Sequence, residues 1–225
     1  MQPTAPSPSP AAAGGAPWNC HAHPEYDRVL AANSDHLLER LRSGTSAERL
    51  AFLNDPREVH KELYCSLAPT AHPEYAGTYR GTPGTSLEGR TAAVTLHCSE
   101  GQQSFVEPDK VATQLTKAAA FAAELFGKAA SMDAEDFILD ATRLFYILGM
   151  VHPFLDGNGH VQRLAFAACI YERGDMAFTP EWSIHPRPYD IEIAAAYEQP
   201  TVSRRLMQLR EILRSYIVIG TRPEP

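Results

Sequence analysis

His152-Pro153-Phe154-Leu155-Asp156-Gly157-Asn158-Gly159-His160-Val161-Gln162-Arg163 is the stretch that decides the reading of this 225-residue chain. It gathers a side chain that titrates near neutrality, a carboxylate, an amide, two glycines and an arginine. Upstream, Phe137, Ala141, Leu144, Phe145 and Leu148 recur at helical spacing and predict a core-facing helix. That helix should end near His152, because the residue before a proline leans away from the αR region. Gly157 and Gly159 keep the chain irregular. A second helix is expected to open near Gly159 and run through Leu164, Ala165, Ala168 and Tyr171 to Gly174. The result is a polar loop between two buried helices, where backbone groups that lose helix partners must find others.

As chemistry, these residues fit a phosphate. A helix opening after a glycine-rich turn presents unpaired N–H groups and a partial positive charge. Gly157 and Gly159 allow oxygens close to the backbone. Arg163, one turn into the helix, can point back at a second phosphate. Asp156 suits Mg²⁺, which takes a carboxylate together with phosphate oxygens. His152 can take a proton from an incoming hydroxyl. Together they suggest phosphoryl or nucleotidyl transfer. The plainer readings are weaker: a lone His-Pro-Phe is usually a helix end, and a lone Asp-Gly-Asn-Gly usually a turn. A metal site on His152, Asp156 and His160 would need one unbroken helix, which Pro153, Gly157 and Gly159 prevent.

Outward from that stretch the chain reads as mainly α. Val29, Leu30, Leu37, Leu38 and Leu41 predict a helix over Tyr26 to Arg42, stopped at Gly44. Another spans Ser46 to about Leu67, with a break near Pro56. Gly77-Thr78-Tyr79-Arg80-Gly81-Thr82-Pro83-Gly84-Thr85 is rich in breakers. A small β-hairpin within Thr91 to Val106 follows it as the single strand region expected. Arg80 reads either as a nucleotide or target contact or as a salt-bridging support for the hairpin. Glu107-Pro108-Asp109-Lys110 opens a helix whose stripe is Val111, Leu115, Ala118, Ala122 and Leu125. Ser131 to Asp136 carries start signals for the next one. A loop with Trp182, His185 and three prolines follows, then a short helix near Ile191 to Tyr197 and a last one through Leu206, Leu209, Leu213 and Tyr216. His21, His23, His97, His185 and Trp182 show no site pattern.

Composition narrows the function. With 44% hydrophobic and 21% charged residues the chain is ordinary globular material for one core. A net charge of -7 argues against nucleic acid as a partner, while leaving room for a local phosphate pocket. Cys20, Cys65, Cys98 and Cys169 lack the spacing of a zinc or redox pair and read as separate, mostly buried thiols in a reducing compartment. Runs such as Leu144 to Val151 are too short to cross a bilayer. Residues 1–24, opening on Pro, Ala, Ser and Gly, are expected to form a disordered tail ahead of one domain over 25–222, with its core at about 77–174. Such a tail is either a linker or an export signal, so the protein is expected in the cytoplasm or exported as an effector.

The motif resembles that of the Fic family, H-P-F-x-[D/E]-G-N-G-R-x-x-R. His152, Pro153, Phe154, Asp156, Gly157, Asn158, Gly159 and Arg163 match it, and Gly77-Thr78-Tyr79-Arg80 is similar to the G-x-Y-R ahead of the family's flap. The resemblance implies a mainly α, Fic-type helical bundle with a β-hairpin flap, acting as a protein adenylyltransferase. ATP would be the donor, Mg²⁺ the cofactor, and a Ser, Thr or Tyr hydroxyl of a target protein the acceptor. His152 would be the general base and Phe154 a core anchor. Asp156 would hold Mg²⁺. Asn158 and the N–H groups from Gly157 to His160 would receive the α-phosphate, and Arg163 the γ-phosphate. The flap would align the target segment by strand-like pairing. Gly159, where the kinase branch has lysine, and Arg163, which that branch lacks, favour AMP transfer over phosphorylation.

Position 160 departs from the pattern: His160 replaces an arginine and removes a permanent cation. This keeps two rivals open, a donor carrying UMP or phosphocholine, and a weakly active regulatory protein that binds nucleotide or a partner. Restoring arginine at 160 is expected to raise ATP-dependent modification if charge is the sole deficit. The family's inhibitory [S/T]-x-x-x-E-[G/N] pattern is absent, since Gly84 and Leu96 stand where Glu88-Gly89 and Glu100-Gly101 would need Ser or Thr. The resemblance then implies control by a separate antitoxin-like partner or by export.

Overall fold

The computed structural model describes residues 18–94, 103–187 and 189–220. Helix α1 spans Tyr26–Ser43, α2 Ser46–Asn54 and α3 Arg57–Tyr64. Thr45 and Glu48 form a reciprocal capping box at the start of α2, and Pro56 separates α2 from α3. Strands β1 (Ala93–Val94) and β2 (Gln103–Ser104) pair antiparallel, with Ala93 opposite Ser104. They are the two ends of the expected hairpin; residues 95–102 between them, including His97 and Cys98, lie outside the described residues.

Pro108–Lys110 forms a single 3-10 turn leading into α4 (Val111–Lys128). Helix α5 (Ala134–Val151) starts at Asp133, whose carboxylate accepts the Glu135 N–H at 2.8 Å. Helix α6 covers Asn158–Arg173 and stops at Gly174, held at φ +77°. Helices α7 (Asp190–Tyr197) and α8 (Val202–Arg214) complete the bundle.

One expectation needs correction. A second two-stranded sheet joins β3 (Met176–Phe178) to β4 (Ile217–Ile219), so the flap is not the single strand region. Neither tripeptide is long enough to show alternation by itself. Their pairing follows from α6 and α8 placing the ends side by side, and the last helix stops before Tyr216.

Helix α6 is the axis. It packs on α5, α1, α2 and α4, while α7 and α8 close one flank. From His160 to Ile170 every residue is buried, as expected of a helix surrounded by others. Its polar residues Asn158, His160, Gln162 and Arg163 are inside as well, so each needs partners. Cys20 is fully buried, and the Trp18 ring meets Tyr64 edge-on at 5.5 Å between centroids. Both residues fall in the stretch read from composition as tail; residues 1–17 lie outside the described residues. Cys20 and Cys169 are buried free thiols and Cys65 is exposed. No described helix is long and apolar enough to cross a membrane.

Candidate active site

His152 is the C-cap of α5, and it adopts φ +48°, ψ +61°, the single non-glycine in the left-handed region among the described residues. That conformation costs about 1–2 kcal/mol in an ordinary residue. Arg80 offsets this cost. Its backbone N–H donates to the Pro153 carbonyl at 2.9 Å, and its guanidinium donates to the carbonyls of His152 at 2.6 Å and Val151 at 2.7 Å. A third guanidinium bond reaches the Val106 carbonyl at the foot of the flap. Among the described residues Arg80 thus supports the foot of the hairpin by hydrogen bonds to carbonyls rather than by a salt bridge. It is a buried clamp on the end of α5, and burial lowers its pKa to about 10. The Val106 N–H also donates to Met150 at 3.1 Å. The Phe105 ring stacks on the His152 imidazole at 4.1 Å. Burial first, then the nearby Arg80 charge, lowers the His152 pKa to about 4. At neutral pH the ring is uncharged and able to accept a proton.

The loop from Phe154 to Asn158 is closed by one side chain. Asn158 accepts the Phe154 N–H at 2.8 Å and donates to the Phe154 carbonyl at 2.9 Å. The Asn158 amide oxygen and one of its two Nδ2–H donors are thus taken up by the backbone. The N–H groups of Asn158 and Gly159 have no partner among the described residues, the usual state of a helix start. Phe154 is fully buried against the His60 ring, 3.8 Å between centroids. His60 Nδ1 accepts the Gly77 N–H at 2.9 Å, and its Nε2 donates to the Asp156 carbonyl at 3.0 Å. Gly157 sits at φ +77° over Tyr64, where a Cβ would come within 2.3 Å of the ring. Glycine is required there.

Asp156 uses one oxygen on the Gly157 N–H, 2.6 Å, and accepts the Cys20 thiol with the other, 3.1 Å. Cys20, His21 and Asp156 each bring a donor atom within 4.8 Å of the others. Burial and the Asp156 charge raise the Cys20 pKa, so this sulfur stays protonated and is no Mg²⁺ ligand. A single half-buried carboxylate oxygen does fit Mg²⁺, whose other positions go to phosphate and water.

His160 faces elsewhere. Its Nδ1 accepts the Tyr64 hydroxyl at 2.8 Å, and its Nε2 meets His185 Nδ1 at 3.1 Å; His185 Nε2 continues to Asp27 at 3.1 Å. One proton per bond satisfies that chain with both rings neutral, consistent with the lowered His160 pKa, caused mainly by burial and then by Arg187. His160→Arg would place a cation in a site 1% exposed and strand the Tyr64 hydroxyl. It is expected to destabilise the fold by roughly 2–4 kcal/mol and to leave ATP-dependent modification no higher. A thermal melt with a labelling assay checks this, and a stable, faster variant would refute it.

Arg163 is 1% exposed. It donates to the Gly159 carbonyl at 2.9 Å, pairs with Asp190 at the start of α7, and lies 4.9 Å from the Tyr189 ring centre. Its Nε is buried without a partner. A cavity of about 300 Å³ collects His152, Gly159 and Arg163 from the motif with Phe105, Arg187 and Asp190 from elsewhere. Asp156, Asn158 and His160 are not among its described lining residues. A larger cavity of about 880 Å³, lined by Asp55, Tyr79, Arg80 and Pro108 among others, contains no motif residue. Sequence reading missed Cys20, His60, Phe105, Arg187 and Asp190. The one signal available was Arg187 between two prolines.

The Fic/DOC family profile matches residues 52–170, more than half of the chain. The chain belongs to the Fic/DOC family. Its motif loop, G-x-Y-R stretch and flap ends are the family's parts as assembled by this sequence. A protein adenylyltransferase of Bartonella henselae is 34% identical to this Fic protein over 109 residues, 48% of the chain and 19% of the relative. The chain thus spans about a fifth of that relative's length. Solved structures agree on the fold. The N-terminal Fic domain of a VirB-translocated effector from Bartonella sp. 1-1C gives a TM-score of 0.61 at 15% identity, covering 85% of this chain and 84% of that one. A Fic domain from Bartonella quintana with bound ADP gives 0.53 at 19% identity, covering 83% and 86%.

Proposed function

We propose that this Fic-type transferase moves AMP from ATP to a Ser, Thr or Tyr hydroxyl of a target protein. The observation that carries the proposal is the cavity in which the uncharged His152 ring stands beside the opening of α6 and Arg163. His152 takes the hydroxyl proton as the target oxygen attacks the α-phosphorus. The bond from that phosphorus to the bridging oxygen of the β-phosphate breaks, and pyrophosphate leaves. Phosphate charge beside the imidazole raises its basicity against the lowering effect of burial and Arg80. The Asn158 and Gly159 N–H groups receive the α-phosphate, and Arg163 takes the distal phosphates once Asp190 yields. Asp156 would hold Mg²⁺, which would supply positive charge to the phosphates. The flap, whose second strand β2 runs directly into Phe105, gives the acceptor segment a strand to pair with. The adenylyltransferase relative supports the donor, and the VirB-translocated effector neighbours support an exported protein.

Incubation with a cell lysate, Mg²⁺ and ATP labelled at either the α- or the γ-phosphate tests the reading. Protein-bound label is expected from α-labelled ATP alone. Label from the γ-phosphate would mean phosphorylation. Label only from a UTP or phosphocholine-nucleotide donor would move the protein to a different transfer reaction.

A further inference from the structure

The helix that should supply two arginines to a triphosphate supplies one, because His160 is turned away and uncharged. A second cation nevertheless stands at the same place. Arg187 comes from the loop between β3 and α7, and one of its terminal nitrogens lies 2.5 Å from where a Cβ on Gly159 would be. Its guanidinium therefore covers the first turn of α6. Arg187 Nε bonds one Asp190 oxygen at 2.9 Å, and the other Asp190 oxygen accepts from Arg163. The carboxylate occupies the gap between two guanidinium groups, as a phosphate would. Arg163 lines the same cavity, and its Nε is buried without a partner.

We propose that Arg187 replaces the arginine missing at position 160, and that Arg187 and Arg163 together grip the distal phosphates of the donor after displacing Asp190. This deepens the nucleotide-transfer reading of the same cavity and rests on it for the choice of ligand. The physical warrant is that guanidinium forks bind phosphate in two-point fashion and keep their charge at any working pH. The side chain is about a quarter exposed, so it can swing between carboxylate and phosphate without unfolding its loop. Gly159 carries no side chain to block that approach.

Titration of the full chain with ATP, ADP, AMP and inorganic tripolyphosphate, each with Mg²⁺, tests the proposal by calorimetry. Arg187→Ala is expected to weaken ATP and tripolyphosphate by roughly ten-fold or more and AMP by less than about two-fold. Arg187→Lys should restore part of the loss, because it returns charge without the fork. Asp190→Asn, which removes the competing carboxylate, should tighten tripolyphosphate. Unchanged ATP binding in a folded Arg187→Ala protein would overturn the proposal, as would an equal loss for AMP and ATP. Because binding is read without transfer, Arg187-dependent ATP binding in a protein that labels no target would retain this inference and reject the transferase reading. Labelling that survives Arg187→Ala with unaltered ATP binding would do the reverse.

Discussion

His152→Ala is expected to lower AMP transfer by about 10²–10⁴-fold while ATP binding changes by no more than about three-fold. In the proposed reaction the imidazole faces the acceptor and the polyphosphate is held by the α6 opening and by arginines, so removing the ring would take away a transition-state contact and little ground-state affinity. Burial in the pocket lowers the ring's pKa to about 4, so it is unprotonated at neutral pH, and neighbouring phosphate charge would raise its basicity. No other titratable side chain lines that cavity with a nitrogen free to accept a proton: among the described lining residues the charged groups are Arg163, Arg187 and Asp190, and Asp190 is bound to both arginines. Single-turnover transfer with saturating α-labelled ATP measures the effect. Equal rates for the two proteins would remove His152 from the chemistry. A parallel collapse of ATP affinity would make it a binding residue instead.

Arg80→Met should be the most damaging substitution that touches no ligand. The arginine bonds three carbonyls, those of Val106, Val151 and His152, and so joins the flap foot to the end of α5. Methionine fills similar space and removes a desolvated cation, which recovers part of the cost. It leaves carbonyls at a buried helix end without donors, each worth about 1–3 kcal/mol. The net expectation is a loss of roughly 3 kcal/mol, read as a melting temperature lower by about 6–12 °C in a chain of this size. Transfer should fall further than stability alone explains, because the left-handed turn at His152 loses its main restraint. Arg80→Lys, with one compact donor group in place of a fork, should fall between. A methionine variant that melts and reacts like the parent would show that the clamp is incidental.

Most of the bundle could be read from apolar spacing, because a helix announces itself through every third and fourth residue over many turns. Helices α4, α5 and α6 end close to their expected limits for that reason. The β3 and β4 strands could not be read, since three residues carry no period and the pairing is a product of where α6 and α8 end. The motif fared in the same way. Its backbone duties were legible: Gly157 must be glycine, Pro153 ends α5, and Phe154 is a core anchor. The side-chain directions were not. Asn158 closes its own loop, and His160 belongs to a chain of rings reaching Asp27.

The sequence by itself therefore determined the family and the helical bundle and singled out the candidate site, because each depends on residue types at fixed spacing within one segment. Only the tertiary structure decided which groups meet there. Cys20 on Asp156, Arg80 on the carbonyls of α5, and Arg187 with Asp190 beside Gly159 are all contacts between segments far apart in the chain. Local spacing carries no information about such pairs. They follow from packing around α6, where buried polar atoms must find partners wherever the folded chain brings them.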